Sequence, residues 1–325
     1  RERHPQVALA VLAAKTFPAP GASMPAPKRR PKWWRIPLAV LLLLVLVPLL
    51  LFALNGTVLA SGERAIVGTL PDVNSPPSGE TVTVVSYNVA KGFAHKKGLE
   101  FDTTDRVQAR LDRMAEAVRA ENPDLVFLSE VMTDCTFCPV NQLEVMARGV
   151  GLPHTAFGEN YCFGLPFCRV VGGNAILSRT PLTPVANLSL SGRKPFWDTT
   201  NSRRALFAST SIRGQTVLLG SLHNDSYDRK NNAAQVQELL DFVGDRPCML
   251  GGDFNAKPSE EPIKLVNESG RFAGAFGGPP TFPADKPDRR IDFVFAPRTW
   301  EHVETRVLDC TASDHRPVVA RFRVN

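Results

Sequence analysis

Six short stretches of the chain end in side chains able to hold a metal ion or a phosphate. They are Ser86-Tyr87-Asn88, Leu128-Ser129-Glu130, Ser221-Leu222-His223-Asn224-Asp225, Gly251-Gly252-Asp253-Phe254-Asn255, Arg290-Ile291-Asp292-Phe293 and Ser313-Asp314-His315-Arg316-Pro317. A buried strand tipped by Asn, Glu, His or Asp places costly polar groups at one rim of a sheet, and such groups are tolerated where they bind something. The carboxylates Glu130, Asp253, Asp292 and Asp314 with the amides Asn88 and Asn255 make a hard, oxygen-rich donor set, suited to Mg2+ or Mn2+ rather than zinc. His223 and His315 add donors for a phosphate oxygen and groups for proton transfer. Taken singly, each residue has a plainer reading: Asp253 as a turn residue, Asp314 as a helix cap or loop residue, Asn88 as a partner for backbone groups. The ordered set at the ends of six strands is what coincidence explains poorly.

The elements that must carry these residues are legible in the hydrophobic pattern. Residues 81–87 are β-branched and apolar and predict a strand. Residues 105–121 place Val107, Leu111, Met114, Ala115 and Val118 on one helical face, with Thr103 or Thr104 as cap and Pro123 as terminator. Short strands are expected at 125–128, 174–177, 206–212, 216–222, 248–250, 291–295 and 318–324. Helices are expected at 141–148 and 227–243. Strands and helices alternate, but several neighbouring strands are close enough for hairpins, which predicts a mixed rather than a purely parallel sheet.

Over about residues 80–325 the chain resembles the endonuclease/exonuclease/phosphatase superfamily, the deoxyribonuclease I-like fold. Gly252-Asp253-Phe254-Asn255 combined with Ser313-Asp314-His315-Arg316-Pro317 carries most of the likeness. Tyr87-Asn88, Glu130, Gly173-Asn174-Ala175-Ile176-Leu177-Ser178 and Arg290-Ile291-Asp292 support it. The resemblance implies a four-layer α/β sandwich, two packed mixed sheets flanked by helices, and cleavage of phosphoester bonds with a divalent metal. By position it makes Glu130 the principal metal ligand, with Asn88 and Asp314 nearby. Asp253 would orient or deprotonate the attacking water, and Asn255 would hold a phosphate oxygen. His315, paired with Asp292, and His223 would face the scissile phosphate. Two positions depart from the family pattern: Ser129 stands where many relatives carry Gln, and His223 is followed by Asn-Asp.

The N-terminus reads as an address. Residues 1–55 hold eight Lys/Arg against one Glu, whereas residues 56–325 hold 30 Lys/Arg against 31 Asp/Glu. The formal charge of +6 therefore belongs to the N-terminal segment, and the near-neutral remainder gives no hint of a polyanion partner. Lys28, Arg29, Arg30, Lys32 and Arg35 surround Trp33 and Trp34 and precede residues 36–54, which carry no charge. At about 1.5 Å per residue this run spans roughly 28 Å, close to one hydrocarbon core. The cations before it place residues 1–35 in the cytoplasm, residues 36–54 in the membrane, 55–80 in a linker that lifts the domain off the bilayer, and 81–325 in an extracytoplasmic catalytic domain. A signal peptide cleaved near Ala60 is the alternative, and Met24 is a candidate start.

Cys135, Cys138, Cys162 and Cys168 are expected to form disulfides, with the segment 133–170 as a substrate-side loop. Cys248 and Cys310 are expected in apolar strands. A membrane-anchored phosphodiesterase acting on a lipid headgroup or small phosphodiester is the reading this sequence favours, with no obligate protein partner. An extracytoplasmic nuclease and a catalytically inactive binding module of the same fold are the alternatives. Arg193-Lys194, Arg203-Arg204 and Arg289-Arg290 are candidates for a local phosphate rim.

Overall fold

Apolar residues alternate along the strands, and the two faces they define are both buried. In strand β2 (Val82–Asn88), Val82 and Val84 point into one apolar layer, while Val85 and Tyr87 point into another. That pattern requires a sheet covered on both sides. A computed structural model describes residues 32–93, 102–192 and 203–324. Among these residues thirteen strands form two sheets. The first orders β1 (Ala65–Thr69), β4 (His154–Leu165), β5 (Cys168–Ser178), β3 (Leu125–Cys135), β2, β13 (Val318–Arg323) and β12 (Glu301–Val307). The second orders β10 (Phe272–Gly274), β11 (Asp292–Pro297), β9 (Cys248–Asp253), β8 (Gln215–His223), β7 (Arg204–Ile212) and β6 (Thr183–Ser189). Among the described residues only β2/β3 and β8/β9 pair in parallel, so both sheets are mixed.

Three apolar layers hold this architecture together. Phe127, Ile176, Leu219, Met249 and Phe322 fill the space between the sheets. Leu111 and Met114 of α2 (Thr104–Arg119) and Met146 of α3 (Gln142–Val150) cover the outer face of the first sheet. Leu239 of α4 (Arg229–Val243) and Ile263 of α5 (Glu261–Glu268) cover the second. The result is the four-layer sandwich. The sheets approach closely where Gly251 faces Phe127, since a Cβ there would lie 2.2 Å from the ring.

The chain divides into two compact units, residues 1–46 and Val47–Asn325. Helix α1 (Arg35–Leu54) follows a single 3-10 turn at Lys32–Trp34, and none of its residues is buried. The apolar stretch Lys32–Leu59 is long enough to cross a membrane. Lys28, Arg29, Arg30 and the Arg193-Lys194 pair lie outside the described residues.

Four expectations are corrected. Residues 55–80 are not a free linker: β1 adds to the first sheet by pairing with β4, which covers the edge of β4. The chain from Ser75 to Glu80 is then strapped down. Arg179 donates to the Pro76 carbonyl, Arg213 to those of Gly79 and Glu80, and Ser78 to Asp124. The segment 133–170 is not a loop; it holds the end of β3, α3 and the long β4–β5 hairpin. The expected disulfides are absent, and all six cysteines are free thiols. Cys135 and Cys138 are buried in the apolar layer under α2 and α3, and the Cys162 thiol donates to Asn55 Oδ1 at 3.6 Å instead. Cys310 sits in the loop after β12, 3.5 Å from the Tyr87 hydroxyl, rather than in a strand.

Candidate active site

Register explains why the polar tips converge. In the second sheet, His223 of β8 pairs across to Asp253 of β9, and Asp253 pairs across to Asp292 of β11. One row of three neighbouring strands therefore presents His, Asp and Asp together. In the first sheet, Asn88 at the end of β2 sits beside Ser129 of β3. The next residue, Glu130, falls at a bulge where the register shifts between Leu128 and Val131, and it takes a positive φ of 57°. A bulge re-aims a side chain, here off the sheet and toward the facing row. The loop between β12 and β13 contributes Asp314 and His315.

The two sheets meet at these residues. The Asn88 amide donates to Glu130 Oε1 (3.2 Å) and to Asp253 Oδ2 (3.1 Å), while its own Oδ1 accepts from the Ala90 N–H (2.9 Å). Asn88 thus bridges two carboxylates with its NH2 and keeps its oxygen on the backbone. His315 Nδ1 lies 2.9 Å from Asp292 Oδ2, which also accepts from the Thr281 hydroxyl at 2.6 Å. His315 Nε2 and His223 Nε2 each lie 3.6 Å from Asp253 Oδ2. Asn255 has φ 48°, donates its backbone N–H to Asp253 Oδ1 and its side-chain amide to the Asn224 carbonyl. Asp314 and Glu130 line the same cavity of about 260 Å3, whose walls also include Tyr161, Arg203 and Tyr227.

Burial and charge set the two histidines apart. Burial opposes a charge on His315, but the carboxylates of Asp292 and Asp253 outweigh it and raise its proton affinity, favouring the imidazolium. For His223, burial and the nearby Arg203 cation act together and hold it well below the usual range, so it is neutral. Burial, reinforced by Asp292, raises Asp253 despite the His315 cation. Glu130 would be raised by burial, yet the Lys91 ammonium beside it and the hydrogen bond from Asn88 bring it well below the ordinary carboxylate range.

The donor set fits a hard divalent cation. Glu130, Asp253 and Asp314 offer oxygens to one cavity, and Asp292 Oδ1 is a buried carboxylate oxygen without a hydrogen-bond partner among the described residues. Asp253, Asp292 and His315 also lie close enough together to share an ion. The 2.9 Å contact commits Asp292 Oδ2 to His315, while Glu130 and Asp314 both face the cavity. Lys91 was not singled out by sequence reasoning, yet its ammonium donates to Glu130 Oε2. A signal existed: a cation three residues beyond Asn88 in the same strand-end turn. Thr281 and Phe282, whose ring centroid lies 4.7 Å from that of His315, come from a stretch with no such signal.

The model of the endonuclease/exonuclease/phosphatase family matches residues 85–315. Among solved structures, an endonuclease/exonuclease/phosphatase from Beutenbergia cavernae DSM 12333 is 25% identical, with 76% of this chain and 72% of that chain covered and a TM-score of 0.61. A mannosyl-6-phosphatase from Bacteroides thetaiotaomicron VPI-5482 is 17% identical, covering 74% and 99%, with a TM-score of 0.55. The human Nocturnin catalytic domain with bound sulfate is 18% identical, covering 80% and 96%, with a TM-score of 0.54. No curated protein matches the chain in sequence.

Proposed function

The chain belongs to the endonuclease/exonuclease/phosphatase family, whose members are generally phosphoester hydrolases, and from that premise we propose that it is a membrane-anchored, divalent-metal-dependent phosphodiesterase working outside the cytoplasm. The observation that carries the catalytic part is the meeting of two rows of strand-end residues, joined by Asn88 between Glu130 and Asp253. Residues 36–54 are the anchor and residues 81–325 hold the catalytic machinery.

Glu130 and Asp314 would hold Mg2+ or Mn2+, with Asn88 fixing the Glu130 carboxylate. When bound, the ion supplies positive charge against the non-bridging phosphate oxygens and the leaving group. The protein's own residues do the rest. Asp253, made more basic by burial and by Asp292, orients the attacking water and accepts its proton. His315, charged and fixed by Asp292, faces the phosphate and offsets the charge that grows in the transition state. Neutral His223 donates to a second phosphate oxygen. Asn255 helps to hold Asp253 through its backbone N–H, and its amide edges the same cavity.

The charge pattern favours a compact phosphodiester or lipid headgroup over nucleic acid. Of the expected rim, Arg203 faces the cavity, whereas Arg204 donates to the Asn187 carbonyl, Arg289 pairs with Asp288, and Arg290 is buried over the Phe293 ring. Lys91 and Arg203 suit one phosphate group rather than a track of them. A substrate panel tests the proposal: chromogenic phosphodiester, phospholipid vesicles, RNA and plasmid DNA, each with Mg2+, Mn2+ or chelator. Hydrolysis of the diester or lipid should stop on chelation and return with metal. Turnover that survives exhaustive chelation refutes metal dependence, and a preference for plasmid with a steep salt dependence refutes the substrate class.

A further inference from the structure

The catalytic domain has no slack between its sheet and the end of the apolar helix. Within the unit Val47–Asn325, Asn55 directly follows α1 and is fully buried, and the Cys162 thiol contacts both its backbone oxygen and its Oδ1 at 3.6 Å. The Ser61 N–H then donates to Glu159, the Asn187 amide donates to the Gly62 carbonyl, and Ala65 begins β1. Asn55 and Ser61 are thus tied to β4, and Gly62 to β6. If α1 crosses a bilayer, its last turn lies at the bilayer surface, and so does whatever that turn touches. The residue that follows this turn, Asn55, meets Cys162 in the far half of β4, and Phe52, Ala53 and Gly56 line one cavity of about 320 Å3 with Tyr161 and Phe163. Tyr161 is also a wall of the catalytic cavity.

Beyond Tyr161 the β4–β5 hairpin ends in exposed aromatic residues. Phe163 is partly exposed, and Phe167, in the turn between Leu165 and Cys168, is 70% exposed. Phe137 is 61% exposed, on the adjoining turn held by Thr136, which exchanges hydrogen bonds with Arg169. The turn holding Phe167 stands four to six residues past Tyr161, about 13–20 Å at the rise of a strand. Val58 and Leu59, just after the helix, are exposed as well. Arg169 is paired with Asp134 at 2.7 Å, so the tip offers apolar area with little net charge. An exposed apolar patch of this kind marks a contact surface, and its tether to an apolar helix end identifies the partner.

We infer that the tip of the β4–β5 hairpin, with Phe137, Phe163 and Phe167, is a bilayer-contact surface that seats the catalytic cavity against the membrane in which α1 is anchored. The inference rests on the membrane anchoring proposed above and deepens it: the phosphoester reaching Glu130 and His315 is then a lipid headgroup in that same leaflet. The contact is apolar insertion rather than attraction to anionic lipid, so it should be insensitive to salt.

The test uses the full chain reconstituted into phosphatidylcholine vesicles, with and without lipids brominated along the acyl chain. F167W places a tryptophan in the exposed turn, and V303W places one on β12 at the opposite edge of the first sheet. The parental tryptophan emission is subtracted from each. F167W emission should be quenched at least about twofold more than V303W emission, with little change between low and high salt. Chains that float with the vesicles but show equal quenching overturn the hairpin contact and leave anchoring standing. Chains that fail to float refute anchoring and this inference with it.

Discussion

His315 and Asp292 should fail together rather than separately. Asp292 is 1% exposed, its Oδ2 meets His315 Nδ1 at 2.9 Å, and the Thr281 hydroxyl holds the same oxygen. Asp292→Asn keeps the shape and an accepting oxygen but removes the charge. A hydrogen bond to a charged group is worth about 1.5–3 kcal/mol, which at about 1.4 kcal/mol per decade is a loss of about 10- to 150-fold in kcat/KM. His315→Ala removes the group that faces the phosphate and should cost about 10²–10⁴-fold. Because Asp292 acts through the imidazole, the double variant should be scarcely slower than His315→Ala alone. The assay is a double-mutant cycle on kcat/KM, with thermal unfolding measured in parallel. Fully multiplicative losses in folded protein would show that Asp292 merely braces the strand end. The His315 ring resonance in metal-free protein gives a second readout: its titration should lie above the ordinary histidine range and fall in Asp292→Asn.

The same pair should shape stability against pH. The folded-state pKa of His315, pushed up to about 10, exceeds its unfolded value, so its contribution is full below about pH 6.5 and is lost as pH rises toward 10. Urea denaturation of metal-free protein should show a loss over that window that is smaller in Asp292→Asn. Glu130→Gln should abolish turnover with the fold intact, because a near-isosteric amide replaces a charged ligand; parental rates at saturating Mg2+ would sink the assignment. Asp124→Ala should cost about 3–5 kcal/mol, since it strips Arg179 of a buried partner and releases Ser78 and the Thr83 N–H. KM of the folded variant should be unchanged, as Asp124 adjoins the other ends of β2 and β3. Thiol labelling without reductant should titrate six thiols after denaturation, with Cys248 protected in the native state by burial, which also raises its pKa.

Strands β2, β3, β5, β7, β8, β9, β11 and β13, the two longest helices of the catalytic region and the polar residues beside those strands were legible because each is a local pattern, whereas β1, β4, β6, β10 and β12 were not. Alternating valines mark β2, a helical stripe marks α2, Asn88, Glu130, His223 and Asp253 follow apolar runs, and Asp292 and His315 precede them. The family motifs order those residues into one site. The pairing geometry was not legible. That His223, Asp253 and Asp292 form a single row depends on the register of three strands, and register is set by cross-strand packing between residues distant in sequence. Lys91 on Glu130 depends on a bulge and a left-handed turn, both of which look like ordinary strand and loop in the sequence. The loop-rich appearance of residues 55–80 misled for a related reason: Pro, Gly and Ser do mark irregular backbone, but they do not say whether that backbone is tied down. The cysteines misled because compartment and even number favour disulfides only when the side chains can meet. Here Cys135 and Cys138 are buried in the apolar layer and Cys162 turns toward Asn55. Local composition fixes which groups are available, whereas long-range packing decides which of them touch.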